Sequence, residues 1–101
     1  MAYSQSLRIK DLQKLREVLA EDFTFKGPLM SFDSADAFVE AIGKMPFEAT
    51  VEGSRFVADG NRVAHAFLWR MTAPAKADIP MCEFFEVSGA KIRSAELFYR
   101  L

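Results

Sequence analysis

The C-terminal stretch from Ile79 to Leu101 (IPMCEFFEVSGAKIRSAELFYRL) constrains the fold more than any other part of this chain. It reads as two β-strands rich in Phe, Val, Ile and Tyr, joined by the turn Ser88-Gly89-Ala90. The second strand runs to the last residue, so the C-terminus is expected to sit inside a sheet. Upstream, Leu12, Leu15, Val18 and Leu19 fall at helical spacing, with Lys14, Arg16 and Glu17 between them. Phe23 to Phe25 alternates as a short strand, and Gly27-Pro28 breaks it. A second helix is expected from Asp33 or Ser34, both good N-caps. It presents Ala35, Phe38, Val39 and Ile42 on one face, and Gly43 and Pro46 end it.

Beyond the second helix the period changes to two. Phe47 to Val57 alternates, with Gly53 placed where a bulge would bend a long strand. Asp59-Gly60 signals a hairpin, Arg62 to Thr72 forms the next strand, and a loop containing Pro74 leads into the C-terminal hairpin. The expected order is helix, short strand, helix, then four antiparallel strands. Helices followed by a run of strands define an α+β domain with a curved antiparallel β-sheet packed against N-terminal helices. At 101 residues the chain is expected to form a single domain, 1–101, burying about two-thirds of its unfolded surface.

Charge and cysteine usage exclude several functions. Thirteen basic residues against fourteen acidic give a net charge of −1 with no basic stripe, so no nucleic-acid partner is expected. Cys82 is the only cysteine, which rules out an internal disulfide and a cysteine-based zinc site. The N-terminus has no apolar signal core, and no stretch approaches the ~18 apolar residues of a membrane span. A cytoplasmic location without membrane contact is expected. No metal-ligand cluster, phosphate-binding glycine loop or Ser-His-Asp set is present, and no cofactor is expected.

The strand from Arg62 to Thr72 has two apolar faces. One carries Val63, His65, Phe67, Trp69 and Met71, the other Ala64, Ala66, Leu68 and Arg70. Two helices cover only one side of such a sheet, and an exposed aromatic face on a lone protein is unusual. The wide face is therefore read as a homodimer interface through His65, Phe67, Trp69 and Phe85. The small-residue face would look towards the helices and leave room for a pocket.

Several motifs carry a resemblance: Asp11-Leu12 leading to Leu19-Ala20-Glu21-Asp22-Phe23, then Gly27-Pro28, the second helix, and the tail Phe84-Phe85-Glu86-Val87-Ser88-Gly89-Ala90-Lys91-Ile92. Their order and spacing resemble the nuclear transport factor 2-like superfamily, which includes ketosteroid isomerases and SnoaL-type polyketide cyclases. The resemblance implies a cone with helices at its mouth and a bent sheet as its wall, often dimeric through the sheet's outer face. The isomerases place a phenol on the first helix, where Tyr3 stands here. They place a carboxylate base before the proline that follows the first strand, where this chain has Gly27. A second, protonated carboxyl belongs on the strand entering the final hairpin, the position given to Cys82. Glycine abstracts no proton and a thiol donates poorly, so standard isomerase activity is not expected.

A small, mostly apolar molecule is the expected ligand, in a cone lined by Leu68, Arg70, Cys82, Phe84, Leu97 and Tyr99, closed by Phe38 and approached by Tyr3. For Cys82 a structural thiol outweighs a nucleophile, because His65, the only histidine, falls on the other face. Arg70 could clamp a carboxylate, although reaching to water from near the strand end is favoured. The Tyr99 hydroxyl either bonds a ligand or rests at the rim. If the chain is an enzyme, the resemblance implies isomerase, cyclase or hydratase chemistry beside a carbonyl. The other reading is a non-catalytic interaction module with Phe side chains filling the cone.

Overall fold

The structure, a computed structural model, describes residues 11–99; Tyr3 lies outside them. Helix α1, Leu12–Glu17, opens with Asp11, whose carboxylate accepts from the Lys14 backbone N–H at 3.1 Å. The helical spacing that continues to Leu19 is overridden by the sheet. Val18 ends the helix, and its carbonyl accepts from the Ile92 N–H at 2.8 Å. Strand β1, Leu19–Lys26, is therefore longer than the expected Phe23–Phe25 piece. A two-residue strand β2, Ser31–Phe32, folds back on its end.

Helix α2, Ala35–Lys44, starts at the Ser34 cap, whose hydroxyl accepts from the Ala37 N–H at 3.1 Å. Its apolar stripe buries Ala35, Phe38 and Ile42. Gly43 lies inside the helix rather than ending it. A Cβ there would stand 2.9 Å from Leu12 Cδ1, so the glycine lets α1 pack closely on α2.

Strands β3 (Glu48–Asp59), β4 (Arg62–Ala73), β5 (Ala77–Ser88) and β6 (Lys91–Tyr99) complete one six-stranded sheet in the order β2-β1-β6-β5-β4-β3. The sheet is mixed rather than wholly antiparallel, because β1 pairs parallel with β6. That pairing brings the N-terminal strand beside the C-terminal one and leaves β3 as the long edge. The architecture is the α+β fold expected, a curved sheet with helices on one face.

The core lies between α2 and the concave face. One row crosses five strands: Val63 pairs with Phe85, Phe85 with Ala95, Ala95 with Phe25, and Phe25 with Phe32. Phe38 projects from α2 onto this row, stacked on Phe25 at 4.8 Å and tilted against Phe23 at 5.3 Å between ring centroids. Leu15, Leu19, Phe23, Phe38 and Phe85 are buried to 2% exposure or less.

The two faces of β4 are reversed from the sequence expectation. His65, Phe67 and Trp69 look towards the helices, whereas Ala64, Ala66, Leu68 and Arg70 form the convex outer face. Alternation sorts a strand into two sets but does not say which set meets the helices when both are apolar. The α2 stripe decides it, since Phe38 meets the row containing Phe85, on the same face as the β4 aromatics. Among the described residues no helix is long and apolar enough to cross a membrane.

Candidate functional site

The bulge in β3 shapes the concave wall. Before Gly53, Val51 pairs with Trp69; after it, Phe56 pairs with His65, and the register shifts between Glu52 and Arg55. One extra residue therefore puts Val51 and Phe56, five positions apart, on the same face. Gly53 takes φ +63°, which glycine adopts without the steric cost of a side chain.

Beneath the bulge, His65 is 1% exposed. Its ring is stacked on Phe56 at 4.2 Å and lies 4.5 Å from Phe67, and its Nε2 hydrogen-bonds Ser54 Oγ at 2.9 Å. Burial lowers the imidazole pKa below 6.5, favouring the neutral ring. Across the β4–β5 ladder, His65 stands opposite Glu83, which is 5% exposed and stands opposite Leu97 on β6. Cross-strand neighbours on one face have Cβ atoms roughly 4.5–5.5 Å apart, so His65 and Glu83 are adjacent.

Glu83 also borders a concave space of about 370 Å³. Its sheet wall carries Phe67, Trp69 and Met71 from β4, Ile79, Met81 and Glu83 from β5, and Leu97 and Tyr99 from β6. Phe38, Ile42 and Met45 come from α2 and its end, and Phe47 immediately precedes β3, its ring 5.4 Å from that of Trp69. The Gly27–Met30 turn and Pro74 stand at the rim. Glu83 is the only Asp, Glu, Lys, Arg or His among the described lining residues. The Tyr99 hydroxyl is a further polar group on the same wall. Tyr99 pairs with Met81, two residues from Glu83, a diagonal of roughly 7–8 Å.

A model of the SnoaL-like domain matches residues 2–95. The chain belongs to that family. Solved structures share the fold of this SnoaL-like chain. One is described as a putative polyketide cyclase from Xanthomonas campestris (TM-score 0.86, 18% identity, covering 98% of this chain and 85% of that one). A putative ketosteroid isomerase from Kribbella flavida aligns with TM-score 0.83 and 18% identity, over 99% of this chain and 73% of its own. A nuclear transport factor 2-like protein of unknown function from Cytophaga hutchinsonii gives TM-score 0.82 and 19% identity, over 98% and 84%. None of the curated proteins compared with the SnoaL-like chain matches it in sequence.

The expected site residues divide between the two faces. Phe38, Leu97 and Tyr99 border the cavity. Leu68, Arg70, Cys82 and Phe84 belong to the convex face and do not. Cys82 pairs with Ala66 and Phe98, and Phe84 is 49% exposed. Arg70 reaches across the outer surface to Glu52 at 3.1 Å and Asp78 at 3.2 Å, where neighbouring carboxylates satisfy it. Phe67 and Trp69, assigned to a dimer face, are cavity wall, while His65 and Phe85 are buried. Tyr3 lies outside the described residues. The strand entering the final hairpin carries a buried carboxyl on the cavity side, Glu83, next to the position given to Cys82. A sequence signal existed for it. In the alternating set Ile79, Met81, Glu83 and Phe85, one carboxylate interrupts an otherwise apolar row.

Proposed function

We propose that the concave cavity binds a small, mostly apolar molecule, with Glu83 as the group that anchors it or exchanges a proton with it. One observation carries this reading: a carboxyl buried to 5% exposure on the wall of an otherwise apolar cavity. Burying such a group costs free energy that a purely structural wall would avoid by using Leu or Met. The volume falls within the roughly 300–1,000 Å³ of ligand sites. His65, whose burial favours the neutral ring, stands opposite Glu83 on the neighbouring strand and hydrogen-bonds Ser54. Gly27 stands where the isomerases carry their base, so two-carboxylate isomerisation is not part of the proposal. Any cyclase- or isomerase-type step would use Glu83, with the Tyr99 hydroxyl as the second polar group.

The test is a thermal-shift screen of small ketones, phenols and amines against wild type, Glu83→Gln and a cavity-filling Met81→Trp. Saturable stabilisation of the wild type that Met81→Trp abolishes is the expected result. Stabilisation that survives Met81→Trp, or no stabilisation by any compound, refutes the reading.

A specific observation supports a homodimer as well. Phe84, Phe98 and Val57 on the convex face are 49%, 48% and 71% exposed, and Phe84 meets Phe98 edge-on at 5.7 Å. This patch, rather than the concave residues, is the proposed contact with a second copy. A non-catalytic interaction module would need only this face. Phe84→Glu should reduce a dimer to monomer in light scattering; Trp69→Glu should not. The opposite pattern excludes the convex patch.

A further inference from the structure

The β3 bulge sets a serine against the buried histidine. Glu52 pairs with Leu68 and Arg55 with Ala66, so Gly53 and Ser54 fall in the gap of the β3–β4 register. Bulges of this kind re-aim a side chain. Here the Ser54 hydroxyl meets His65, with Oγ 2.9 Å from Nε2. The two residues differ in access to solvent. Ser54 is exposed on the edge strand of the sheet, whereas His65 is buried and stacked on Phe56. Burial lowers the imidazole pKa and keeps the ring neutral at pH 7. With the ring proton on Nδ1, Nε2 accepts from the Ser54 hydroxyl.

We propose that Ser54 is a nucleophile that accepts an acyl group from an aryl ester, with His65 as its general base. An activated hydroxyl needs its base at about 2.6–3.2 Å, and the base must be free of its second proton. Ser54 Oγ attacks the ester carbonyl carbon while its proton passes to His65 Nε2. The bond from that carbon to the aryl oxygen then breaks, the phenolate leaves, and the imidazolium gives its proton to water. The product is an O-acyl serine. Phe56, two residues on along the same face, is 49% exposed. Its outer ring surface gives the aryl group an apolar seat beside the hydroxyl. The site stands apart from the cavity reading, since neither Ser54 nor His65 is among the described residues bordering that space.

A purely structural bond between the same two atoms would leave Ser54 no more reactive than other exposed serines, such as Ser31 and Ser88. His65 is the only histidine, so those two serines have no such base. The full chain is treated with p-nitrophenyl acetate, and acetylation of each serine is timed by peptide mass spectrometry. Ser54 is expected to react about 100-fold faster than Ser31 and Ser88, the lower end of general-base activation. Hydroxylamine should remove the adduct, as it does an ester and not the amide of an acetylated lysine. His65→Gln keeps a hydrogen-bonding group that takes no proton, and should slow Ser54 acetylation about 100-fold with the circular dichroism unchanged. If that variant fails to fold, the comparison of the three serines in the wild type decides alone. Equal rates at the three serines, no acetylation of Ser54, or an unchanged Ser54 rate in folded His65→Gln overturns the proposal.

Discussion

Phe23→Ala should distinguish the concave face from the convex one by stability alone. Phe23 is 0% exposed on β1 and its ring lies 5.3 Å from that of Phe38, which in turn stacks on Phe25. Truncation removes the transfer free energy of a fully buried ring, about 1.5–3 kcal/mol, and leaves a void that the surrounding rings fill only in part. Phe→Ala changes in cores cost about 3–5 kcal/mol in total. A domain of this size holds only about 5–15 kcal/mol, and each kcal/mol moves Tm by about 4–8 °C. A fall in Tm of about 12 °C at the least is expected. Phe98→Ala removes the same side chain from the other face. It is 48% exposed with one edge-on partner, so the loss should be about 1 kcal/mol at high dilution. The assay is urea unfolding followed by far-UV circular dichroism and Trp69 fluorescence, at several protein concentrations. Equal losses for the two variants, extrapolated to high dilution, would refute the assignment of the core to the concave face.

Three further predictions concern single residues. His65 has a folded pKa below its unfolded value, so the unfolded chain binds more protons in that interval and stability rises with pH there. Its contribution is therefore complete above about pH 6.5 and is lost as pH falls through the window between 6.5 and the lowered folded value. His65→Gln should flatten this part of the stability–pH curve, and an unchanged difference between the two curves across the window would show that His65 does not titrate as described. Gly53→Ala should cost about 1–2 kcal/mol in urea unfolding, because its φ is +63° although, among the described residues, no atom beyond its chain neighbours lies within 4 Å of the added Cβ; no loss would mean the bulge is not held at that dihedral. Arg70→Ala should leave ligand affinity unchanged and cost about 1 kcal/mol or less, since its Glu52 and Asp78 pairs are half-exposed on the convex face. A loss of affinity in calorimetry would return Arg70 to the site.

Features carried by local chemistry were legible in the sequence. The Ser34 cap, the bulge at Gly53 and the Gly60 and Gly89 turns are each written in two or three residues, because short side chains and free glycine dihedrals act locally. The two-residue period of the long strands was equally plain. The site was legible only as sets of alternating residues. Phe38, Leu97 and Tyr99 fall on the cavity side, while the choice between Cys82 and Glu83 turned on which set faced inward.

That choice depended on contacts far apart in the chain. The parallel pairing of β1 with β6 brings Phe25 beside Ala95, and α2 then lays Phe38 over the row that ends at Val63. Both faces of β4 are apolar, so hydrophobicity gives no preference and the nearest helix stripe breaks the tie. The same placement sets His65 opposite Glu83, a register that follows from the span between β4 and β5 and not from either strand alone. The sequence by itself determined the capped second helix, the four long C-terminal strands with their alternating sets, and the α+β class, because period and capping are properties of neighbouring residues. Only the tertiary structure decided which face is the cavity and that a buried carboxyl stands in it, because burial is a property of what packs against a residue from elsewhere in the chain.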